Sequence, residues 1–88
     1  MEANKERTAL MGIIVENMES TEKLNAILHD YGNYIIGRMG IPKREKGISI
    51  ISIAICAPAD IINAVSGKVG RLDGVSVKTI YAKCDDEK

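Results

Sequence analysis

The segment at residues 48–56 constrains the fold more than any other part of the chain. Its odd positions 51, 53 and 55 are isoleucine, and its even positions are also largely apolar: Ile48, Ile50, Ala54 and Cys56. β-Branched residues favour strands, and apolar side chains on both faces indicate a central strand that is covered on two sides. The fold must therefore place this strand in the middle of a sheet.

Three further segments predict strands. Residues 8–15 are short and apolar, which is typical of a second central strand. Residues 33–41 predict a strand that Pro42 ends, with Ile35, Met39 and Ile41 on one face and Tyr34, Ile36 and Arg38 on the other. Residues 43–47 form a polar hairpin turn, and residues 75–82 predict an edge strand.

Two stretches have the apolar period of an α-helix. The stripes of these helices are Leu24, Ile27, Leu28 and Tyr31 in the first and Ile62, Val65, Val69 and Leu72 in the second. We expect Ser20 or Thr21 to cap the first helix and Gly32 to end it in the left-handed conformation. Pro58 suits the first turn of the second helix, and Asp73-Gly74 predicts the turn that follows it.

The element order β-α-β-β-α-β predicts an α+β fold, a ferredoxin-like sandwich with a four-stranded antiparallel sheet of order 4-1-3-2 and two helices on one face. We expect residues 7–83 to form one such domain, residues 1–6 a frayed N-terminus and residues 84–88 an acidic tail. Because two helices cover one face and the central strands are apolar on both, we expect a homo-oligomer that buries the other face, sheet to sheet or edge to edge.

Composition excludes several classes of function. Lys and Arg total 12, as do Asp and Glu, so a neutral chain gives no reason to expect nucleic acid as a partner. Cys56 and Cys84 lack the spacing of a disulfide framework or a metal set, so we expect reduced thiols, with pairing or a metal role left open. No signal peptide or membrane-length apolar stretch is visible, so we expect a cytoplasmic protein without a membrane partner.

Each residue that could act in catalysis or metal binding also has an ordinary structural interpretation. His29 is the only histidine, and it lies off the apolar stripe of its helix. Glu16 and Glu19 could form a carboxylate pair, but acids near a helix start are common because of the helix dipole. No Ser/His/Asp set, phosphate-binding loop or dinucleotide motif is present. We therefore predict no enzyme, no catalytic residue, no metal and no cofactor.

Two basic or glycine-rich segments leave alternatives open. Lys43, Arg44 and Lys46 indicate a solvated turn or, alternatively, a contact with an anionic ligand or nucleic acid. In Gly37-Arg38-Met39-Gly40, glycines inside a strand indicate either a bulge or a ligand or subunit contact, and the Arg38 guanidinium suits carboxylate or phosphate.

Residues 31–42, Tyr-Gly-Asn-Tyr-Ile-Ile-Gly-Arg-Met-Gly-Ile-Pro, and 45–52, Glu-Lys-Gly-Ile-Ser-Ile-Ile-Ser, resemble the iron-only hydrogenase system regulator family. Residues 12–17 and 72–78 fit the same family. The resemblance covers roughly residues 7–83 and implies a ferredoxin-like fold similar to ACT domains and to the C-terminal sensing domain of nickel-responsive repressors. Those relatives bind small effectors or metal at subunit interfaces. Residues 1–7 are too short for the repressors' DNA-binding segment, and one histidine does not supply their metal site.

The resemblance implies a non-catalytic regulatory module of an iron-only hydrogenase system that binds a small effector or a protein partner as a homo-oligomer. In ACT-like domains effectors lie near the first strand–helix connection, which here points to Asn17 and Ser20. Gly37, Arg38 and Gly40 are a second, independent candidate set. The alternatives are a structural or protein-interaction partner in hydrogenase maturation without an effector and, more weakly, a DNA-binding transcriptional regulator.

Overall fold

The computed structural model describes residues 5–83, with Arg44 described by its backbone alone. The four strands are β1 (Glu6–Val15), β2 (Ile35–Lys43), β3 (Ile48–Pro58) and β4 (Val75–Tyr81). The two helices are α1 (Thr21–Asp30) and α2 (Ala59–Gly70). Residues 1–4 of the predicted frayed N-terminus and the whole predicted tail, Cys84 included, lie outside the described residues.

The strands form one antiparallel sheet in the order β2-β3-β1-β4. This is the predicted order 4-1-3-2 counted from the other edge, so the ferredoxin-like α+β fold is confirmed. β1 and β3 are the central pair, in register from Glu6 opposite Pro58 to Val15 opposite Ser49. Both strands that are apolar on two faces in the sequence therefore lie in the middle of the sheet.

The core lies between one face of the sheet and the two helices. Alternate residues of the central strands point into it, and the helix stripes close it, with these fully buried large side chains: Met11, Ile13, Val15, Leu24, Leu28, Ile53, Ile55, Ile62, Val65 and Val69. Burial of that many aliphatic side chains supplies most of the driving force for folding. The predicted stripes are thus confirmed, with Ile27, Tyr31 and Leu72 at their half-buried margins.

Several predicted ends of elements are wrong. Pro58 ends β3 and is the N-cap of α2 rather than a residue of its first turn, and residues 33 and 34 lie in a 3₁₀ turn rather than in β2. Gly32 does not end α1 in the left-handed conformation; it begins a 3₁₀ turn, Gly32–Tyr34, and Tyr31 is the C-cap. Pro42 does not end β2, which continues to Lys43 with Pro42 opposite Ser49. Proline is tolerated there because β2 is an edge strand, where half of the backbone N–H groups need no partner.

Two glycines close the predicted turns. Gly47 has φ +66° and follows a 3₁₀ turn, Arg44–Lys46, in the β2–β3 hairpin. Gly74 has φ +71° and leads into β4 after α2. Both angles are in the left-handed region that favours glycine, so both turns depend on the residue type.

Candidate functional site

The face of the sheet that the helices leave uncovered is the largest unusual surface of the molecule. We call it the open face and define it by the outward residues of the four strands, leaving out the strand ends Glu6, Lys43 and Pro58: Thr8, Leu10, Gly12, Ile14, Gly37, Met39, Ile41, Ile48, Ile50, Ser52, Ala54, Cys56, Ser76, Lys78 and Ile80. Most of these side chains are apolar. The expectation of a second apolar face without a cover from the two helices is confirmed for the described part of the chain.

Neighbouring residues show how sharply the two faces differ. Ile13 is fully buried, whereas Ile14 is 43% exposed. Ile51 is likewise buried, with 6% exposure, whereas Ile50 is 42% exposed. Contiguous apolar surface of this kind marks an interaction site in soluble proteins.

The strand register places small residues side by side on the open face, which leaves part of it recessed. Its middle row runs Met39, Ser52, Gly12 and Lys78 across the four strands. Because the two central members of that row are small, a depression of about 260 Å³ forms, lined by Gly12, Ile14, Ile50, Ser52, Ser76 and Lys78 together with the buried-face neighbours of these residues. A side chain added at Gly12 would meet only the Lys78 carbonyl oxygen, at 4.0 Å.

Asn17 and Ser20, the first candidate set, lie together on the β1–α1 connection. The Asn17 side chain donates to Asp73 Oδ2 at 2.7 Å and accepts from the Glu19 N–H at 3.0 Å. The buried Ser20 hydroxyl donates to the Asp73 carbonyl oxygen at 2.7 Å. Both side chains therefore fasten the start of α1 to the turn between α2 and β4.

The predicted cap of α1 is wrong as a result. Ser20 occupies the N-cap position, but its hydroxyl makes no capping hydrogen bond because it binds Asp73. The Thr21 hydroxyl does not replace it; this oxygen is buried and has no hydrogen-bond partner within the described residues. Asn17 instead caps the short 3₁₀ turn that precedes α1.

The same connection is closed by a tight backbone approach at Gly74. A Cβ at this position would lie 2.6 Å from Asn17 Cβ. The Glu16 N–H also donates to the Gly74 carbonyl oxygen at 2.7 Å. This end of the sheet is thus held by several short contacts between distant parts of the sequence.

Gly37, Arg38 and Gly40, the second candidate set, are all exposed on the edge strand β2. The register against β3 shifts between Ile35 and Gly37, which is the bulge that the glycines predicted as one alternative. The shift also overturns one predicted face, because Ile35 lies opposite the buried Ile55 and no longer shares a face with Met39.

Arg38 points to the helix side of the sheet rather than to the open face. It lies opposite Ile53, and its guanidinium donates to Asn25 Oδ1 of α1 at 3.1 Å. Gly37 lies on the open face, and a Cβ added there would have no atom within 4 Å. The second candidate set is therefore divided between the two faces, and no hydrogen bond among residues 5–83 joins it to Asn17 or Ser20.

The remaining candidates are dispersed. His29 is exposed in the last turn of α1. Cys56 is a free thiol whose Sγ lies 3.5 Å from Glu6 Oε1. No three His, Cys, Asp or Glu side chains of the described residues are grouped as a metal site would need. Lys43 pairs with Glu45 at 3.4 Å inside the hairpin turn.

Neither helix within residues 5–83 has the length and apolar character needed to span a bilayer.

Fold and surface together define a small ferredoxin-like domain with one sheet face packed by helices and one left open. A sequence model of the TM1266-like family, described as "Iron-only hydrogenase system regulator, putative", matches residues 7–79. The chain belongs to this family, as the resemblance in residues 31–52 implied.

Solved structures agree with this assignment. The uncharacterized protein TM1266 from Thermotoga maritima is 34% identical, with a TM-score of 0.86 over 90% of this chain and 100% of that one. A formyltetrahydrofolate deformylase from Pseudomonas putida KT2440 is 15% identical, with a TM-score of 0.61 over 86% of this chain and 29% of the deformylase. The second similarity shows the fold alone. No curated protein matches the chain.

Proposed function

We propose that this chain is a non-catalytic, cytoplasmic regulatory module of an iron-only hydrogenase system, and that it acts as a homo-oligomer whose copies meet through the open face. The observation that carries the proposal is an apolar, uncovered sheet face on a member of a regulator family. Water contact with this face is unfavourable, and a second copy removes it.

The size of the open face suits a pairing of two copies. Four strands about 4.8 Å apart, with side-chain rows about 7 Å apart along them, give a face of about 500 Å². Two such faces packed together bury about 1,000 Å², which is the lower bound for a specific interface. The face is thus large enough for a dimer only if most of it is used.

The charge on the open face also favours a second copy as its occupant. Lys78 is the single charged residue in the inner rows of the face, and the other charges, Glu6 and Lys43, lie at strand ends. Interface cores are depleted in charge, and a two-fold pairing places the same apolar rows against each other. Two depressions, one around Gly12 and Ser52 and one around Thr8 and Ala54, give the face recesses for that packing.

We propose an effector region from the resemblance to ACT-like domains, at the β1–α1 connection around Asn17 and Ser20. An effector there would compete for Asp73, whose side-chain and backbone oxygens those two residues now bind. Binding would thereby be transmitted to the start of α1. The Gly37, Arg38 and Gly40 set stays a second proposal, and unchanged effector binding and assembly in Arg38→Ala would remove it.

The oligomer is tested by sedimentation velocity at micromolar concentration. We expect the wild-type chain to sediment as a dimer or larger species. Ile14→Glu should weaken association at least about a hundredfold, because symmetry buries two unpaired carboxylates in one interface. Ala26→Glu is the matched control, since Ala26 is exposed on α1 on the opposite side of the sheet. A monomeric wild-type chain contradicts the proposal.

One observation favours the alternative of an interaction partner in hydrogenase maturation without an effector. The hydrogen bonds of Asn17 and Ser20 are already directed to Asp73, which is what a purely structural role requires. In that case a different protein covers the open face, and the isolated chain is monomeric. DNA binding is not proposed, because the basic turn partly neutralises itself through Lys43 and Glu45.

A further inference from the structure

Lys78 is out of keeping with the surface that surrounds it. It lies in the middle row of the open face, beside Gly12 and between the apolar residues Ile14 and Ile80 of the adjoining rows. Within residues 5–83 its ammonium group has no ion-pair or hydrogen-bond partner. Lys78 is on the edge strand β4, so its long side chain reaches water at the rim of the face. A second copy over the open face would still remove part of the water around this charge unless a negative group accompanies it.

Two hydroxyl groups converge on the same place. Ser76 precedes Lys78 by two residues on β4 and therefore points to the same face. Ser52 lies opposite Gly12 on the other side of β1. Both serines line the depression with Lys78, and neither side chain makes a hydrogen bond within the described part of the chain. Three polar groups without partners thus surround one depression on an otherwise apolar face.

The floor and walls of the depression are apolar. Gly12 supplies a floor without a side chain, and the paired Ile14 and Ile50 supply an apolar wall on one side. Its volume of about 260 Å³ accommodates a molecule of several carbon atoms. An inorganic anion would leave the isoleucine walls unused, whereas a neutral hydrocarbon would leave Lys78 and the hydroxyls unpaired.

We propose that this depression binds a small amphipathic carboxylate, with its carboxylate on Lys78 and Ser76 and its hydrocarbon part over Gly12, against the pair Ile14 and Ile50. The inference rests on the proposed oligomer, in which the second copy closes over the ligand. This ligand site lies between the sheets and is separate from the effector region proposed at the β1–α1 connection. The ligand would then stabilise the oligomer by supplying the missing counter-charge for Lys78.

Hexanoate is the probe, and 1-hexanol is its neutral counterpart. In NMR-monitored titrations we expect saturable hexanoate shifts at residues of the depression, and binding of 1-hexanol weaker by about tenfold or more. Lys78→Met, which keeps the apolar stem, should weaken hexanoate binding by about tenfold or more. Lys23→Met, an exposed lysine on α1, is the matched control and should bind hexanoate as the wild type does.

A second variant tests whether hexanoate binds in the depression itself, independently of the charge of Lys78. Gly12→Val should abolish hexanoate binding by filling the floor, while circular dichroism checks that the sheet is intact. Wild-type protein that ignores hexanoate, or Lys78→Met that binds it equally well, overturns the inference. Sedimentation of the same samples separates the two proposals: an oligomer without hexanoate binding overturns this inference alone, and a monomer overturns the proposed oligomer.

Discussion

The two faces of the sheet have similar side chains and opposite surroundings. On β1, Met11 and Ile13 are fully buried under the helices, while Leu10 and Ile14 are exposed on the open face. Hydrophobic alternation therefore identifies an apolar face, but it does not identify what covers it. On one side the cover is part of the same chain, and on the other side we propose a second copy.

The largest expected effect separates the two faces at adjacent residues. Ile13→Ala should lower the free energy of unfolding by about 2–5 kcal/mol, because it leaves a cavity among packed core side chains. Ile14→Ala should lower the stability of the dissociated chain by less than about 1 kcal/mol, since its side chain is already partly in water. Urea denaturation of both variants at low protein concentration measures the difference.

Ile13→Ala and Ile14→Ala control for each other, because both replace isoleucine with alanine on β1. Association should respond in the opposite way: Ile14→Ala weakens the oligomer in sedimentation experiments, and folded Ile13→Ala protein keeps it. Equal losses of unfolding free energy in the two variants would mean that the open face is as well packed as the core, and the comparison would be wrong.

A pair of glycines gives the next largest effect. Gly74→Ala should destabilise the chain by at least about 2 kcal/mol, because φ is +71° and the new Cβ would meet Asn17 Cβ at 2.6 Å. Gly12→Ala should be neutral or stabilise by up to about 1 kcal/mol, because the strand conformation suits alanine and the site is open. Thermal unfolding of both variants provides the measurement, and a stable Gly74→Ala protein would contradict the tight approach at this turn.

The smallest expected effect is a stabilisation on the helix side. The Thr79 hydroxyl is buried and has no hydrogen-bond partner within the described residues. Thr79→Val keeps the shape and removes the unsatisfied group, so it should raise the free energy of unfolding by about 1 kcal/mol. Thr8→Val on the open face is the control, with little change expected because its exposed hydroxyl makes only a long contact of 3.9 Å with Cys56 Sγ. Denaturant titration that finds Thr79→Val destabilised would show that the hydroxyl has a partner.

The sheet order and both helices could be predicted from the sequence because their signals are local. Apolar residues repeat with the period of a helix around Leu24 and Ile62, and strands apolar on both faces must be central. The residues at which helices and strands begin and end were harder to predict from the sequence. Pro42 stays in β2 because that strand has a neighbour on one side only, which is a property of the sheet and not of the residues around Pro42.

The roles of the candidate site residues were hard to predict for a similar reason, because they depend on residues that are distant in the sequence. Ser20 has the sequence context of a helix cap, but Asp73, which binds its hydroxyl, is more than fifty positions away. The glycines of β2 correctly indicated a bulge, yet the bulge itself moved Ile35 to the other face, so alternation could not place Arg38 relative to Met39. The sequence alone does not single out Lys78, because a lysine in an edge strand is ordinary until the strand register puts it beside Gly12 and Ser52.

The central position of β1 has a consequence for biosynthesis. Both neighbours of β1 follow it in the chain, since β1 pairs with β3 and with β4. Because β1 is made before both of its partners, it has one unpaired side until residue 81 has been added. Such long-range pairing slows folding and prolongs the exposure of apolar strands during translation. A nascent chain of this protein thus exposes the apolar strand β1 before either of its partners exists and completes its pairing only with β4.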